Sequence, residues 1–223
     1  MADNVKYQIG DRTLECYLAS PVSGSGPGVI LLHAWWGLTP YFRSIADRLA
    51  EQGFVTLAPD FYCGKTASTI EQAEELRDSL EREWVNLSLK AAISSLRSMP
   101  AVKSDLLGVM GFSLGAYFAV WLAVNRPKDI GAVILYYGIG RGNFSKSRAE
   151  FLGHFAEHDP YESSASIAKL EHALIEANRE VAFYHYPGTG HWFCEADRPD
   201  AYRAAEAELA WERSIDFLKR RLA

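Results

Sequence analysis

The sequence predicts an α/β fold: a mostly parallel, doubly wound sheet of about eight strands with helices on both faces. Three observations predict it. Strand-like apolar runs alternate with helical runs along most of the 223 residues. Several strand runs, such as GVILLH at 28–33 and LLGVMGF at 106–112, are apolar without alternation, as strands buried on both faces are. The residues with chemistry to offer fall just after these runs, where open α/β sheets bind their ligands.

The elements follow in order. VKYQI and LECYLA, turned by Gly10 and Asp11, read as a hairpin. The loose SPVSGSGPG at 20–28 joins it to GVILLH. YFRSIADRLAEQG at 41–53 is an amphipathic helix closed by a glycine. FVTLAPD at 54–60 is a second buried strand. Ser68 with Glu71 has the pattern of a capping box. Ala73, Leu76, Leu80, Trp84, Leu87 and Ala91 then recur at helical spacing, as one kinked helix or two. LLGVMGF leads into LGAYFAVWLAVN at 114–125, a helix apolar nearly all round and therefore buried. IGAVILYYG, AEFLGHFA and VAFYHYP are further strands, and SSASIAKLEHALIEAN at 163–178 is a helix. A last helix sets Ala204, Trp211, Ile215, Leu218 and Leu222 on one face. There is no internal repeat or convincing linker, so residues 1–223 read as one domain.

Composition excludes some functions. The chain is 48% hydrophobic and 23% charged, the balance of a globular protein. A net charge of −5 argues against a nucleic-acid surface, which needs a basic stripe. No stretch has the length of apolar residues that a membrane span requires. The first residues lack the apolar core of a secretory signal. Cys16, Cys63 and Cys194 form neither a disulfide framework nor a zinc pattern, which fits a reducing cytoplasm. A monomer or homodimer is expected, with no cofactor and no metal.

The strand-terminal positions hold a serine, an acid and a histidine in that chain order. GFSLG matches G-x-S-x-G, in which a strand turning at once into a helix presents a strained serine at the helix N-terminus. Ser113 is therefore the candidate nucleophile. A serine hydroxyl needs a base, and His191 in PGTGHWF is best placed. The base needs an acid to hold its tautomer. Asp159 in FAEHDPY is the candidate, with Glu157 as the alternative. Asp60 in APD reads as a structural turn. Acyl transfer also needs two donors for an oxyanion. The Leu114 backbone N–H follows the nucleophile, and the loop HAWWG supplies the second at Trp35. The adjacent indoles of Trp35 and Trp36 then serve as rigid walls, and His33 holds the loop by a hydrogen bond.

VILLHAWWGL, GFVTLAPDFY, VMGFSLGA, YYGIG, GHFAEHDPY and YPGTGHWF occur in this order. With them the chain resembles the dienelactone hydrolase family of the α/β-hydrolases over nearly its whole length. The resemblance implies the α/β-hydrolase fold and a triad of Ser113, Asp159 and His191 with no large lid. It also implies hydrolysis of a small-molecule ester or lactone. Three departures stand out. The best-known members carry cysteine where this chain has Ser113. They carry glutamate directly before the oxyanion-hole residue, where this chain has Ala34. Their arginine past the histidine, which helps hold a substrate carboxylate, aligns without gaps on Glu195. Trp36, Trp192 and Glu195 are accordingly expected in the substrate pocket. An acid there would favour neutral substrates over anionic ones. Arg77, Arg82 and Arg198 are the cations that could compensate.

Two other readings compete. A metallohydrolase would draw on His154, His158 and Asp159, with His185 and His191 further on. A ligand-binding protein on the same fold would have no need of the complete triad.

Overall fold

Eight strands form one sheet in the computed structural model, which describes residues 2–222; Met1 and Ala223, the ends of the domain read from the sequence, lie outside the described residues. The strands are β1 (Ala2–Ile9), β2 (Arg12–Ala19), β3 (Gly28–Leu32), β4 (Val55–Pro59), β5 (Leu107–Phe112), β6 (Ile130–Tyr136), β7 (Glu150–His158) and β8 (Val181–Gly190). Their order across the sheet is β1-β2-β4-β3-β5-β6-β7-β8. β2 pairs antiparallel with β1 and with β4, and every other pairing is parallel. The central parallel strands are the uninterrupted apolar runs of the sequence: β3, β4, β5 and β6 are buried at every residue.

Strand alternation sorts these side chains into two layers. Val29 and Leu31 of β3 face the layer of α1 (Pro40–Glu51) and α6 (Ala204–Leu222). Ile30 and Leu32 face that of α3 (Arg82–Ser98), α4 (Leu114–Asn125) and α5 (Ser164–Glu176). Each fully buried aliphatic side chain contributes about 1.5–3 kcal/mol. Placing helices on both faces is what allows a sheet this apolar to exist in water.

The helix boundaries follow local chemistry. α1 begins at Pro40, whose missing N–H costs nothing in a first turn, and Gly53 at φ 97° turns the chain out after it. The long helical run is two helices, α2 (Ile70–Asp78) and α3, broken at 79–81, and Leu87 lies on an exposed face. The cap of α2 is one residue later than the sequence predicts. Thr69 is the N-cap and its hydroxyl accepts from the Gln72 N–H, while the Gln72 side chain returns to Ser68. In α6, Trp211, Ile215, Leu218 and Leu222 are buried as expected, whereas Ala204 is exposed in the first turn. Among the described residues no helix is long and apolar enough to cross a membrane.

Candidate active site

β5 ends at Phe112 and α4 begins at Leu114, so Ser113 alone makes the turn. Its backbone sits at φ 50°, ψ −110°, a strained conformation for a residue with a side chain. Neighbouring backbone holds it there. The Ser113 N–H donates to the Tyr136 carbonyl at 2.9 Å, and its own carbonyl accepts from Ala116 at 2.9 Å. The flanking glycines are required by space: a methyl on residue 115 would lie 2.2 Å from the Leu32 oxygen, and one on residue 111 would lie 2.3 Å from the Gly115 oxygen. The first turn of α4 is thus pressed against the loop after β3.

The structure brings Ser113, His191 and Asp159 together. Ser113 Oγ lies 2.9 Å from His191 Nε2, and His191 Nδ1 lies 2.7 Å from Asp159 Oδ2. The two partners of the second contact are almost fully buried. Asp159 is aimed by its own turn: Oδ1 accepts the N–H groups of Tyr161 and Glu162, leaving Oδ2 for the histidine. Since a carboxylate oxygen only accepts, Nδ1 carries the ring proton and Nε2 is free to accept from the serine.

The loop HAWWG follows β3, beside β5 in the sheet. His33 is fully buried, with Nδ1 2.6 Å from the Ala34 oxygen and Nε2 accepting the Phe61 N–H at 3.3 Å. Burial holds this imidazole below the usual histidine range, so it stays neutral in the tautomer these contacts need. A trans peptide points its carbonyl and N–H in opposite directions. His33 and the Gly37 N–H take the Ala34 oxygen inward. The Trp35 N–H is therefore turned away from that buried side. Leu114, at the first position of α4, has an N–H with no intrahelical acceptor.

Trp36 and Trp192 line a cavity of about 690 Å³ that His191 and Tyr161 also border. The aromatic wall is continuous: ring centroids are 5.4 Å apart for Trp35–Trp36, 5.2 Å for Trp36–Trp192 and 6.0 Å for Trp35–Trp192. Arg198 lies over Trp36, its Cζ 3.7 Å from the ring centroid. It is anchored by the carbonyls of Ala67 and Ser68. Arg77 and Arg82 border a different cavity, of about 270 Å³, which Leu114 and Tyr117 also line.

Glu195 corrects the sequence expectation. It is fully buried, with Oε1 accepting the Tyr137 hydroxyl at 2.9 Å and Oε2 unpartnered. The Trp36 indole N–H lies alongside without completing a hydrogen bond. Burial pushes the Glu195 carboxyl up to about 8, against the lowering effect of the Tyr137 bond. A carboxyl buried away from the cavity lining, in surroundings that favour its protonated form, does not face a substrate, and the preference for neutral substrates loses its basis. Trp192 explains the placement: at φ 66° it turns the chain so that residues 193–195 point into the protein.

The remaining candidates are occupied elsewhere. Glu157 is exposed and accepts the Gly188 N–H. Asp60 accepts the N–H groups of Tyr62 and Gly64, as a structural turn does. His154 is buried, with Nδ1 2.8 Å from the Tyr186 hydroxyl and Nε2 2.9 Å from Ser214 Oγ, and burial pushes it down to about 3. Among the described residues no group of three or more His, Cys, Asp or Glu side chains is placed to hold a metal ion. The sequence reading missed two neighbours of the histidine. Tyr161 and Tyr137 lie with ring centroids 4.8 Å and 5.0 Å from that of His191. Their positions after β7 and β6, at the ligand-binding edge of the sheet, were the available signal.

The model of the Dienelactone hydrolase family matches residues 14–222. "Protein usf" of Aquifex pyrophilus is 29% identical over 228 residues, covering 98% of both chains. The carboxymethylenebutenolidase of Rhodococcus opacus is 28% identical over 221 residues, covering 92% of this chain and 85% of its own. In three dimensions the chain superposes on a dienelactone hydrolase-like promiscuous phosphotriesterase from metagenomic libraries with a TM-score of 0.89 at 17% identity, covering 100% and 99% of the two chains.

Proposed function

The chain belongs to the dienelactone hydrolase family, and on that premise we propose that it cleaves carboxylic ester or lactone bonds of small molecules through an acyl-enzyme on Ser113. The single observation that carries this reading is the relay Ser113 Oγ–His191 Nε2, 2.9 Å, and His191 Nδ1–Asp159 Oδ2, 2.7 Å. In it a weak nucleophile, a base of fixed tautomer and a buried acid stand in the order that acyl transfer uses.

Ser113 Oγ attacks the carbonyl carbon while its proton passes to His191 Nε2. Asp159 stabilises the imidazolium through the Nδ1–H bond. The new alkoxide takes the N–H groups of Leu114 and Trp35, which need no reorganisation at that moment. His191 then gives its proton to the leaving oxygen, and the C–O bond breaks. In a lactone that oxygen stays tethered to the acyl group. Water, deprotonated by the same nitrogen, attacks the acyl-enzyme and releases the acid. The leaving group occupies the cavity beside His191, walled by Trp36 and Trp192. The route requires neither metal nor cofactor. We place the protein in the cytoplasm, a reading its three free cysteines support.

The test is to label the protein with a fluorophosphonate, map the modified residue, and assay esters and lactones with the parent and Ser113→Ala. Labelling at Ser113 and a loss of several powers of ten in kcat/KM are expected. A ligand-binding protein would leave the probe unreacted. Near-parental turnover by Ser113→Ala would move the nucleophile elsewhere.

A further inference from the structure

Glu162 is a half-buried carboxyl that the proposed reaction does not use. It sits three residues after Asp159, and its own N–H donates to Asp159 Oδ1 at 3.1 Å. Its side chain reaches across to the next loop, where Oε1 accepts the Ile139 N–H at 3.3 Å. That loop follows β6 and backs the nucleophile. At its neighbour Gly138 a methyl would lie 2.4 Å from the Ser113 oxygen and 2.9 Å from Ser113 Cα. Glu162 therefore ties the turn that aims the acid to the segment that supports the serine.

We infer that Glu162 is a positioning residue for the Asp159–His191 pair, and that its carboxyl is a titratable second acid that changes the charge behind that pair. This rests on the reading of the triad given above. Burial pushes the Glu162 carboxyl up to about 7; the Ile139 N–H opposes the shift and the charge of Asp159 adds to it. Among the described residues no cation pairs with it. Asp159 faces it from its own turn, and His191 stands behind Asp159 after β8. Arg141 after β6 and Lys169 on α5 border the adjoining groove at Ile139 and Ser166 without an ion pair to Glu162.

The consequence has a definite sign. Below neutrality Glu162 is a neutral acid, and the imidazolium keeps its partner Asp159. Above it a second negative charge stands behind His191 and favours the protonated ring. Protonation of His191 and ionisation of Glu162 thus assist each other. Two interacting ionisations rather than one are therefore expected to shape the acid limb of a pH–rate profile.

The experiment compares Glu162→Gln, which keeps an oxygen for the Ile139 N–H but cannot ionise, with Glu162→Ala, which loses both. The midpoint of the acid limb of kcat/KM is expected to fall by about 0.5–1 pH unit in the glutamine variant, and the limb to sharpen to one ionisation. At the plateau Glu162→Ala is expected to lose about tenfold in kcat, with most of it restored by glutamine. The same titration is read without turnover from the His191 ring protons by NMR, in the Ser113→Ala background with and without Glu162→Gln. That arm survives a failure of the serine assignment. Superimposable His191 titrations overturn the second-acid role. A glutamine variant as slow as the alanine variant at every pH overturns the positioning role.

Discussion

At the Ser113 elbow the constraints come chiefly from Ser113's own neighbours and from the strands and strand ends alongside. Tyr136 of β6 takes the serine N–H, and the end of β3 leaves room only for glycine at 115. The segment after His191 is held from far away. Glu195 meets Tyr137, Asp197 meets Thr39 at 3.3 Å, and Arg198 rests on Trp36 and on the carbonyls of Ala67 and Ser68. The first region is determined by stereochemistry within a few residues. The second is a packing solution that draws on many parts of the chain. Damage to the first is expected to be abrupt, and damage to the second graded.

The largest effect expected beyond the serine itself is at Asp159, where the two kinds of constraint meet. Asp159→Asn presents an amide to His191 Nδ1 and favours the wrong tautomer. A fall of about four powers of ten in kcat is expected, with little change in melting temperature. Glu157→Gln, on an exposed carboxylate that meets the Gly188 N–H and the exposed His158 ring, is expected to change kcat by less than about threefold. Steady-state kinetics on one activated ester decides between them. The reverse order would give Glu157 the acid's role.

Next comes the elbow's backbone. Gly115→Ala puts a methyl 2.2 Å from the Leu32 carbonyl oxygen, which belongs to a central strand and cannot yield cheaply. A loss of about 3 kcal/mol or more is expected in urea unfolding, with activity falling alongside. Parental stability would mean that β3 and α4 can separate and that the elbow is less tightly determined than its contacts indicate.

The same contrast governs what could be read from the sequence. GFSLG, the apolar runs around it and the order serine, acid, histidine are local or topological signals, and the structure places those residues within hydrogen-bond reach. Glu195 carried no such signal. Alignment assigned it a position, but whether that position faces the cleft or the core depends on the left-handed turn at Trp192 and on Tyr137, more than fifty residues away. The cap at Thr69 rather than Ser68 is a smaller case, in which two adjacent hydroxyls compete: Thr69 takes the Gln72 backbone N–H and Ser68 meets the Gln72 side chain. Tyr161 and Glu162 lie beside Asp159 in sequence, yet only the fold turns one ring onto His191 and sends the other carboxyl to Ile139.

The smallest effect is the most graded, and it tests the packed segment through Glu195. In the unfolded chain this carboxyl ionises near the ordinary glutamate value, about 4.3. In the folded protein burial holds its proton to about 8. Between those limits the folded state binds one proton more than the unfolded state, so stability falls as pH rises, by at most about 1.4 kcal/mol per unit from this group. Below the lower limit and above the upper one its contribution is flat. Glu195→Gln keeps an oxygen for the Tyr137 hydroxyl and removes the titration. The difference in unfolding free energy, variant minus parent, is therefore expected to move in the variant's favour by about 2 kcal/mol between pH 6 and pH 8. Whatever fixed cost the buried amide adds leaves that slope unchanged. Urea unfolding of both proteins at several pH values measures it. Parallel stability curves would mean that the carboxyl is ionised in the folded state at pH 6. Glu195 would then be a buried anion held by Tyr137, Trp36 and the nearby Arg198, and the negative charge expected from the sequence would be present after all, one layer beneath the cleft.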